Sequence, residues 1–182
     1  MIISHQLQSF REYLSLLAKN QFPKRLQRKL NASDVVQQTL LEAHRDLEQF
    51  RGTTSGEMAV WLRQILARNL ANVARDWDRQ KRDVRQEQSF EQSLSESSAR
   101  LEAWLSDGNL SPSGQAQRNE QLLQLAQVLM SIPEDQRQVI ELRYLQGCSI
   151  KEISEQLEKS SGAVAGLLHR GLSKLREQLN QG

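Results

Sequence analysis

Cysteine is almost absent. Cys148 is the only one among 182 residues, so no internal disulfide can form, and with three histidines no set of side chains falls at metal-ligand spacing. Proline (3) and glycine (9) are too scarce for a collagen-like or low-complexity chain, and aromatics make up only 5%. No uninterrupted apolar run approaches the roughly 20 residues that a bilayer-spanning helix needs. The polar start, Met1 to Gln6, lacks a basic region followed by an apolar one. The sequence therefore predicts neither secretion nor membrane insertion, and the lone thiol fits a reducing cytoplasm.

What is present is an ordinary globular composition, 38% hydrophobic and 25% charged, in a length that allows one medium domain or two small ones. The net charge of +2 does not by itself indicate a nucleic-acid binder, but the charge is unevenly placed. Residues 1–85 carry a surplus of +6, residues 86–120 sum to −4 and residues 121–182 to zero. A basic amino-terminal part is a hint of a polyanionic partner.

Helical periodicity runs through the chain and strand alternation is missing. Leu7, Phe10, Leu14 and Leu17 are three and four apart, Pro23 interrupts, and a basic stretch follows at Lys24, Arg25, Arg28 and Lys29. Asn31 to Asp34 offers cap residues for a helix striped by Val36, Leu40, Ala43, Leu47 and Phe50. Arg51 to Gly56 is a loop. The next helix carries Met58, Trp61, Leu62, Ile65, Leu66, Val73 and Trp77; the two tryptophans could serve as stacking platforms, but their place on the apolar stripe favours core packing.

Between 86 and 112 serine and acids dominate, which predicts a flexible linker, with Leu101, Trp104 and Leu105 on one face of a short docked helix. A second domain begins with the stripe Leu122, Leu123, Ala126, Leu129 and Met130. Ser131 to Glu134 has the form of a capping box, and the following helix through Val139, Ile140, Leu142 and Leu145 ends at Gly147. Ser149 to Glu152 is a second capping box, opening a helix with Ile150, Ile153 and Leu157. After a turn at Glu158 to Ser161, a last helix buries Val164, Leu167, Leu168, Leu172 and Leu175 and shows His169, Arg170 and Lys174 outside. The fold expectation is all-α: two small helical domains, 1–85 and 113–182, joined by a linker over 86–112, the second a helix-turn-helix.

The segments Asp34-Val-Val-Gln37, Phe50-Arg-Gly52, Trp61-Leu62, Ala67-Arg-Asn-Leu-Ala71, Ile132-Pro-Glu-Asp-Gln-Arg137, Ile140-Glu-Leu-Arg-Tyr144 and Gly162-Ala-Val164 resemble, in order, bacterial RNA polymerase sigma factors of the extracytoplasmic-function (ECF) group. The resemblance covers roughly 5–85 and 115–180. It implies a non-catalytic specificity subunit that directs core RNA polymerase to promoters and helps melt them, and it leaves room for an anti-sigma protein as a further partner.

It implies that Asp34, Val35, Gln37 and Gln38 meet the polymerase clamp. Phe50 and Arg51, in the loop expected to trap a flipped base, would address the minus-ten element with Arg68, Asn69, Asn72, Arg75 and Arg79. Lys151, Ser160, Ser161, Ala163, Gly166, His169, Arg170 and Lys174 would serve the minus-thirty-five element. Ala165 and Gly166 stand where many members carry a basic residue after the Gly-x-Val triplet. Arg170 and Lys174, beyond the first turns of the recognition helix, are expected on phosphates. No metal or cofactor is called for. A stand-alone helix-turn-helix regulator is the alternative; an enzyme ranks last, because no His, Cys or Ser constellation at catalytic spacing is visible.

Overall fold

The computed structural model describes residues 7–21, 31–77, 84–105 and 115–181. Among them every regular element is helical: α1 (Arg11–Lys19), α2 (Ala32–Arg45), α3 (Ser55–Trp77), α4 (Val84–Trp104), α5 (Gln115–Ser131), α6 (Glu134–Ile140), α7 (Ile150–Leu157) and α8 (Ser161–Gln181). A 3-10 turn, Leu47–Gln49, follows α2, and a π turn, Glu141–Leu145, prolongs α6. The chain divides into two compact units, Met1–Glu96 and Ser97–Gly182. The basic stretch at Lys24 to Lys29, Arg79 and the residues around Pro112 lie outside the described set, as does the side chain of Trp77.

In the first unit α1, α2 and α3 pack on one another. The predicted stripe Leu7, Phe10, Leu14 and Leu17 is buried, together with Tyr13, whose hydroxyl accepts a hydrogen bond from Arg63 Nη1 at 2.8 Å. A phenol this deep needs such a partner. Asn31 caps α2 by accepting from the Ser33 N–H at 3.1 Å, which leaves Asp34 in the first turn, where a negative charge suits the helix dipole. Val36, Leu40 and Ala43 are buried as the stripe requires. Leu47 and Phe50 are only half-buried, because the helix stops at Arg45 and the 3-10 turn breaks its register. On α3, Met58, Leu62, Ile65 and Leu66 form the core face, while Trp61 and Val73, expected there, are half-buried.

The linker expected over 86–112 holds a continuous helix in its described part, since α4 reaches Trp104. No Gly or Pro interrupts residues 84–105, and side chains four apart support the helix: Gln92 to Glu96 and Ser98 to Glu102, each at 3.0 Å. The predicted short docked helix is thus the end of a longer one. From Ser97 onward α4 belongs to the second unit. Arg100 donates to the carbonyls of Tyr144 (3.2 Å) and Leu145 (2.6 Å), Ser97 Oγ donates to Leu145 O (3.0 Å), and Trp104 meets Tyr144 edge-on at 6.2 Å. These donors satisfy carbonyls that the helix end at Gly147, with φ of 72°, leaves without partners.

The rest of the second unit places α5, α6 and α7 around α8. Leu122, Ala126 and Leu129 are buried as predicted, but Met130 is 47% exposed. Ser131 does not cap α6. It is the last residue of α5, its hydroxyl donates to Val128 O at 2.7 Å and bonds Gln178 Oε1 at 2.8 Å, and α6 starts after Pro133 with no side-chain cap. Gly171 on α8 faces α6 so closely that a Cβ there would lie 2.9 Å from Ile140 Cδ1 and 3.1 Å from Gln136 Cβ. Any side chain there would have to push back the tip of Ile140 and crowd Gln136, so the close approach favours glycine.

Candidate polymerase and DNA interfaces

On α2 the residues facing away from the core fall three and four apart: Asp34, Gln37, Gln38 and Leu41 are all exposed, Leu41 at 60%. Three of these are predicted polymerase contacts. The fourth prediction, Val35, is only 6% exposed and packs inward, so it shapes the helix rather than presenting a surface. Leu41, which sequence reasoning did not single out, continues the Asp34–Gln37–Gln38 row by one turn and is the most exposed large hydrophobic side chain among the described residues.

The loop between α2 and α3 is held from both ends. Thr54 and Glu57 form a capping box. Glu57 Oε2 accepts from the N–H groups of Thr53 (2.8 Å) and Thr54 (3.0 Å) and from the Thr54 hydroxyl (3.0 Å), while Thr54 Oγ1 accepts from Glu57 N (3.2 Å). The bond from Thr53 N–H, then those from Thr54, hold the Glu57 carboxyl below its ordinary pKa. Phe50 stacks against Trp61 with ring centroids 5.2 Å apart and planes at 35°. Gly52 lies under the Phe50 ring, where a Cβ would come within 2.4 Å of Cζ. The result is a half-buried aromatic pair at a rigid loop, with Arg51 exposed beside it. Such a pair offers bases a face to stack on.

Along α3 the predicted DNA-facing residues separate. Arg68 and Asn72 are exposed, and Arg75 folds onto its own helix, donating from Nε to Ala71 O at 3.3 Å and from Nη2 to the Asn72 amide oxygen. Asn69, expected on the DNA side, turns inward. It is 5% exposed, and its amide donates to Thr39 Oγ1 (3.2 Å) and Glu42 Oε2 (3.4 Å) on α2. Helical geometry sends neighbouring residues to different faces, and the sequence alone did not place the α2 contact line between Arg68 and Asn69. Glu42 collects three donors: Gln38 Nε2 at 2.8 Å, Arg68 Nη2 at 2.9 Å and the Asn69 amide. Burial alone would raise its pKa; the bonds from Gln38 and Arg68, the Arg68 charge and the Asn69 bond together pull it below the ordinary value, so it is ionised at neutral pH.

In the second unit the helix-turn-helix forms as predicted. Ser149 and Glu152 make a reciprocal capping box, with Glu152 N donating to Ser149 Oγ at 3.2 Å and Ser149 N donating to Glu152 Oε2 at 2.7 Å. The turn is set by Glu158 in the left-handed conformation (φ 53°, ψ 41°), a position glycine usually fills. Val139, Leu142, Ile153, Val164 and Leu167 form the core that clamps α7 on α8, with Cys148, Ile150, Leu157 and Leu168 packed at its edge. Ser160 caps α8 through the Ala163 N–H (3.2 Å), and Ser154 Oγ donates to Ser161 Oγ across the turn (3.2 Å).

Lys151, Ser160, Ser161, Ala163, His169, Arg170 and Lys174 are exposed and Gly166 is partly so. The Arg170 guanidinium folds back over Gly166. A Cβ at 166 would lie 3.2 Å from its Nη1, so the charge sits nearer the first turns of α8 than residue number suggests. Among the described residues no group of His, Cys, Asp or Glu is arranged to hold a metal ion, and no described helix is long and apolar enough to cross a membrane.

The second unit is therefore a helix-turn-helix of the kind that lays its second helix in a DNA groove, and residues 122–175 match the family described as Sigma-70, region 4. Similarity extends well beyond that motif. The ECF RNA polymerase sigma factor SigX of Bacillus subtilis is 30% identical over 153 residues, covering 83% of this chain and 72% of that protein. A Xanthomonas campestris pv. campestris protein, "Probable RNA polymerase sigma factor RfaY", is 30% identical over 82% of this chain, which spans only 34% of its length. The ECF RNA polymerase sigma factor ShbA of Streptomyces griseus is 33% identical over 75 residues, 41% of this chain and 39% of its own. The chain belongs to the ECF RNA polymerase sigma factors.

Proposed function

We propose that this chain directs core RNA polymerase to promoters in the cytoplasm, contributing binding and strand capture but no catalytic step. The observation that carries this is the pairing, in one chain, of a region 4 helix-turn-helix with similarity that continues through the first unit. A stand-alone regulator would share the motif alone. In this scheme Asp34, Gln37, Gln38 and Leu41 meet polymerase. Phe50 and Trp61 stack an unpaired base of the minus-ten element, and Arg51, Arg68, Asn72 and Arg75 line the strand, with Arg79 as a further cation in that sequence. The exposed face of α8 reads the minus-thirty-five element. Run-off transcription with core polymerase, with and without this protein, on fragments of its own genome tests the scheme; no promoter-directed transcript would overturn it.

Replacing Asp34 and Gln37 together by Ala should lower affinity for core polymerase about tenfold. Melting should barely change, because Asn31 is the α2 cap and both side chains are exposed. A pull-down titration beside a thermal melt checks this; equal affinity for core would remove the α2 face from the interface.

For α8 the Gly166 seat changes the expectation for Arg170. Lys174, further along, remains a phosphate contact, and its loss should weaken all promoters alike. The fold of Arg170 over Gly166 supports a base-edge role for its guanidinium, where a bidentate contact to guanine discriminates by about 1–3 kcal/mol. Selection of upstream sequences by holoenzyme should lose one base preference in Arg170→Ala, and also in Gly166→Leu, which fills the seat. A uniform decline across all promoters with unchanged preference would return Arg170 to the backbone.

A further inference from the structure

Glu42 has no place in the interfaces above, yet it binds residues of both. Its side chain is 16% exposed, on α2. One carboxylate oxygen takes the amide of Gln38 at 2.8 Å, on the polymerase-facing row. The other takes Arg68 at 2.9 Å and Asn69 at 3.4 Å, both on α3. Arg68 is half exposed, at 47%, and its ion pair with Glu42 engages Nη2. The charged groups around the pair are Asp46, whose carboxylate feels Arg68, and Arg45, which pairs with Asp46 at 2.9 Å and feels Glu42.

An arginine lying free beside an opened strand adds sequence-blind attraction. Each phosphate it neutralises contributes about 0.7 to the logarithmic salt slope for single strands. The same guanidinium held against a carboxylate keeps its directed N–H donors but gives up most of its net charge. We propose that Glu42 is a positioning residue that holds Arg68 in this second state, so that α3 meets the minus-ten strand with an oriented donor rather than a loose cation. The inference rests on the proposed placement of α3 against the opened strand. The bond to Gln38 ties the same carboxylate to the α2 face, so the Arg68 geometry depends on a side chain beside polymerase.

The test uses the full chain assembled with core polymerase, core alone as the baseline, and a fluorescent dT20 strand titrated across a salt series. Glu42→Gln keeps the size and the amide bond to Gln38 while removing the charge. It should tighten dT20 binding about threefold to tenfold at low salt and steepen the salt slope by about 0.7. Arg68→Ala should weaken binding, and the double variant should match Arg68→Ala. Glu42→Asp, with the charge retained, should bring the slope back toward wild type, which a purely structural role would not predict; thermal melts in the same buffers separate folding from binding. If Arg68→Ala weakens dT20 binding while Glu42→Gln leaves the slope unchanged, the role given to Glu42 falls and the placement of α3 survives. If Arg68→Ala has no effect, the placement of Arg68 at the strand falls and takes the Glu42 inference with it.

Discussion

Gly52→Ala should disable promoter opening while leaving the second unit untouched. The added Cβ would stand 2.4 Å from Phe50 Cζ, 2.7 Å from Phe50 Cε2 and 2.7 Å from Glu57 Cβ. Glu57 cannot retreat, because its carboxylate is held by Thr53 and Thr54 at the start of α3. The Phe50 ring must therefore leave Trp61. That forfeits an aromatic contact of about 0.5–1.5 kcal/mol and forces an overpacked loop, typically about 1–3 kcal/mol. Run-off transcription should drop by about tenfold or more, and permanganate reactivity of promoter thymines should fall with it. A double-mutant cycle isolates the cause: in a Phe50→Ala background, Gly52→Ala should lose at least half of its destabilising effect, since only the Glu57 conflict remains. Strict additivity would mean that the ring is not what Gly52 makes room for.

The part of this site that the sequence made legible is the part set by local rules. The cap of α2 within Asn31 to Asp34, which falls on Asn31, the box at Ser149 and Glu152, the break at Gly147 and the apolar stripe of α8 depend on residues within one or two turns. The reciprocal box of Thr54 and Glu57 also follows a local spacing rule, across the boundary between the loop and α3. Periodicity failed where tertiary contact decides. It favoured the core for Trp61, which is half-buried against the Phe50 ring at the loop; the family resemblance put Asn69 on the DNA side, although its amide meets Thr39 and Glu42 on the facing helix.

Within the serine- and acid-rich segment the described residues are helical: no Gly or Pro stops α4 before Trp104, and Arg100 finds the carbonyls of Tyr144 and Leu145 some 44 and 45 positions away. Glu42 was invisible in the sequence because two of its three partners, Arg68 and Asn69, lie 26 and 27 positions away on another helix.

Ile153→Ala should separate the two functions more cleanly than any surface change. Ile153 is fully buried at the centre of the cluster with Val139, Leu142, Val164 and Leu167, and no other residue of α7 is as deep. Truncating a buried isoleucine to alanine typically costs about 2–5 kcal/mol, through lost burial and the cavity left behind. A small unit with only about 5–15 kcal/mol of total stability loses a large share of it. The orientation of α8 against α7 is set by this cluster, so the exposed residues of α8 should no longer reach a groove together. Transcription that depends on the minus-thirty-five element should fall to background, and the melt should show an early transition from the second unit. Core polymerase binding should stay within about twofold of wild type, because the α2 face lies in the other unit. Should Ile153→Ala reduce polymerase affinity as far as it reduces promoter binding, the second unit would have to carry polymerase contacts of its own, and the assignment of that role to α2 would need to be shared.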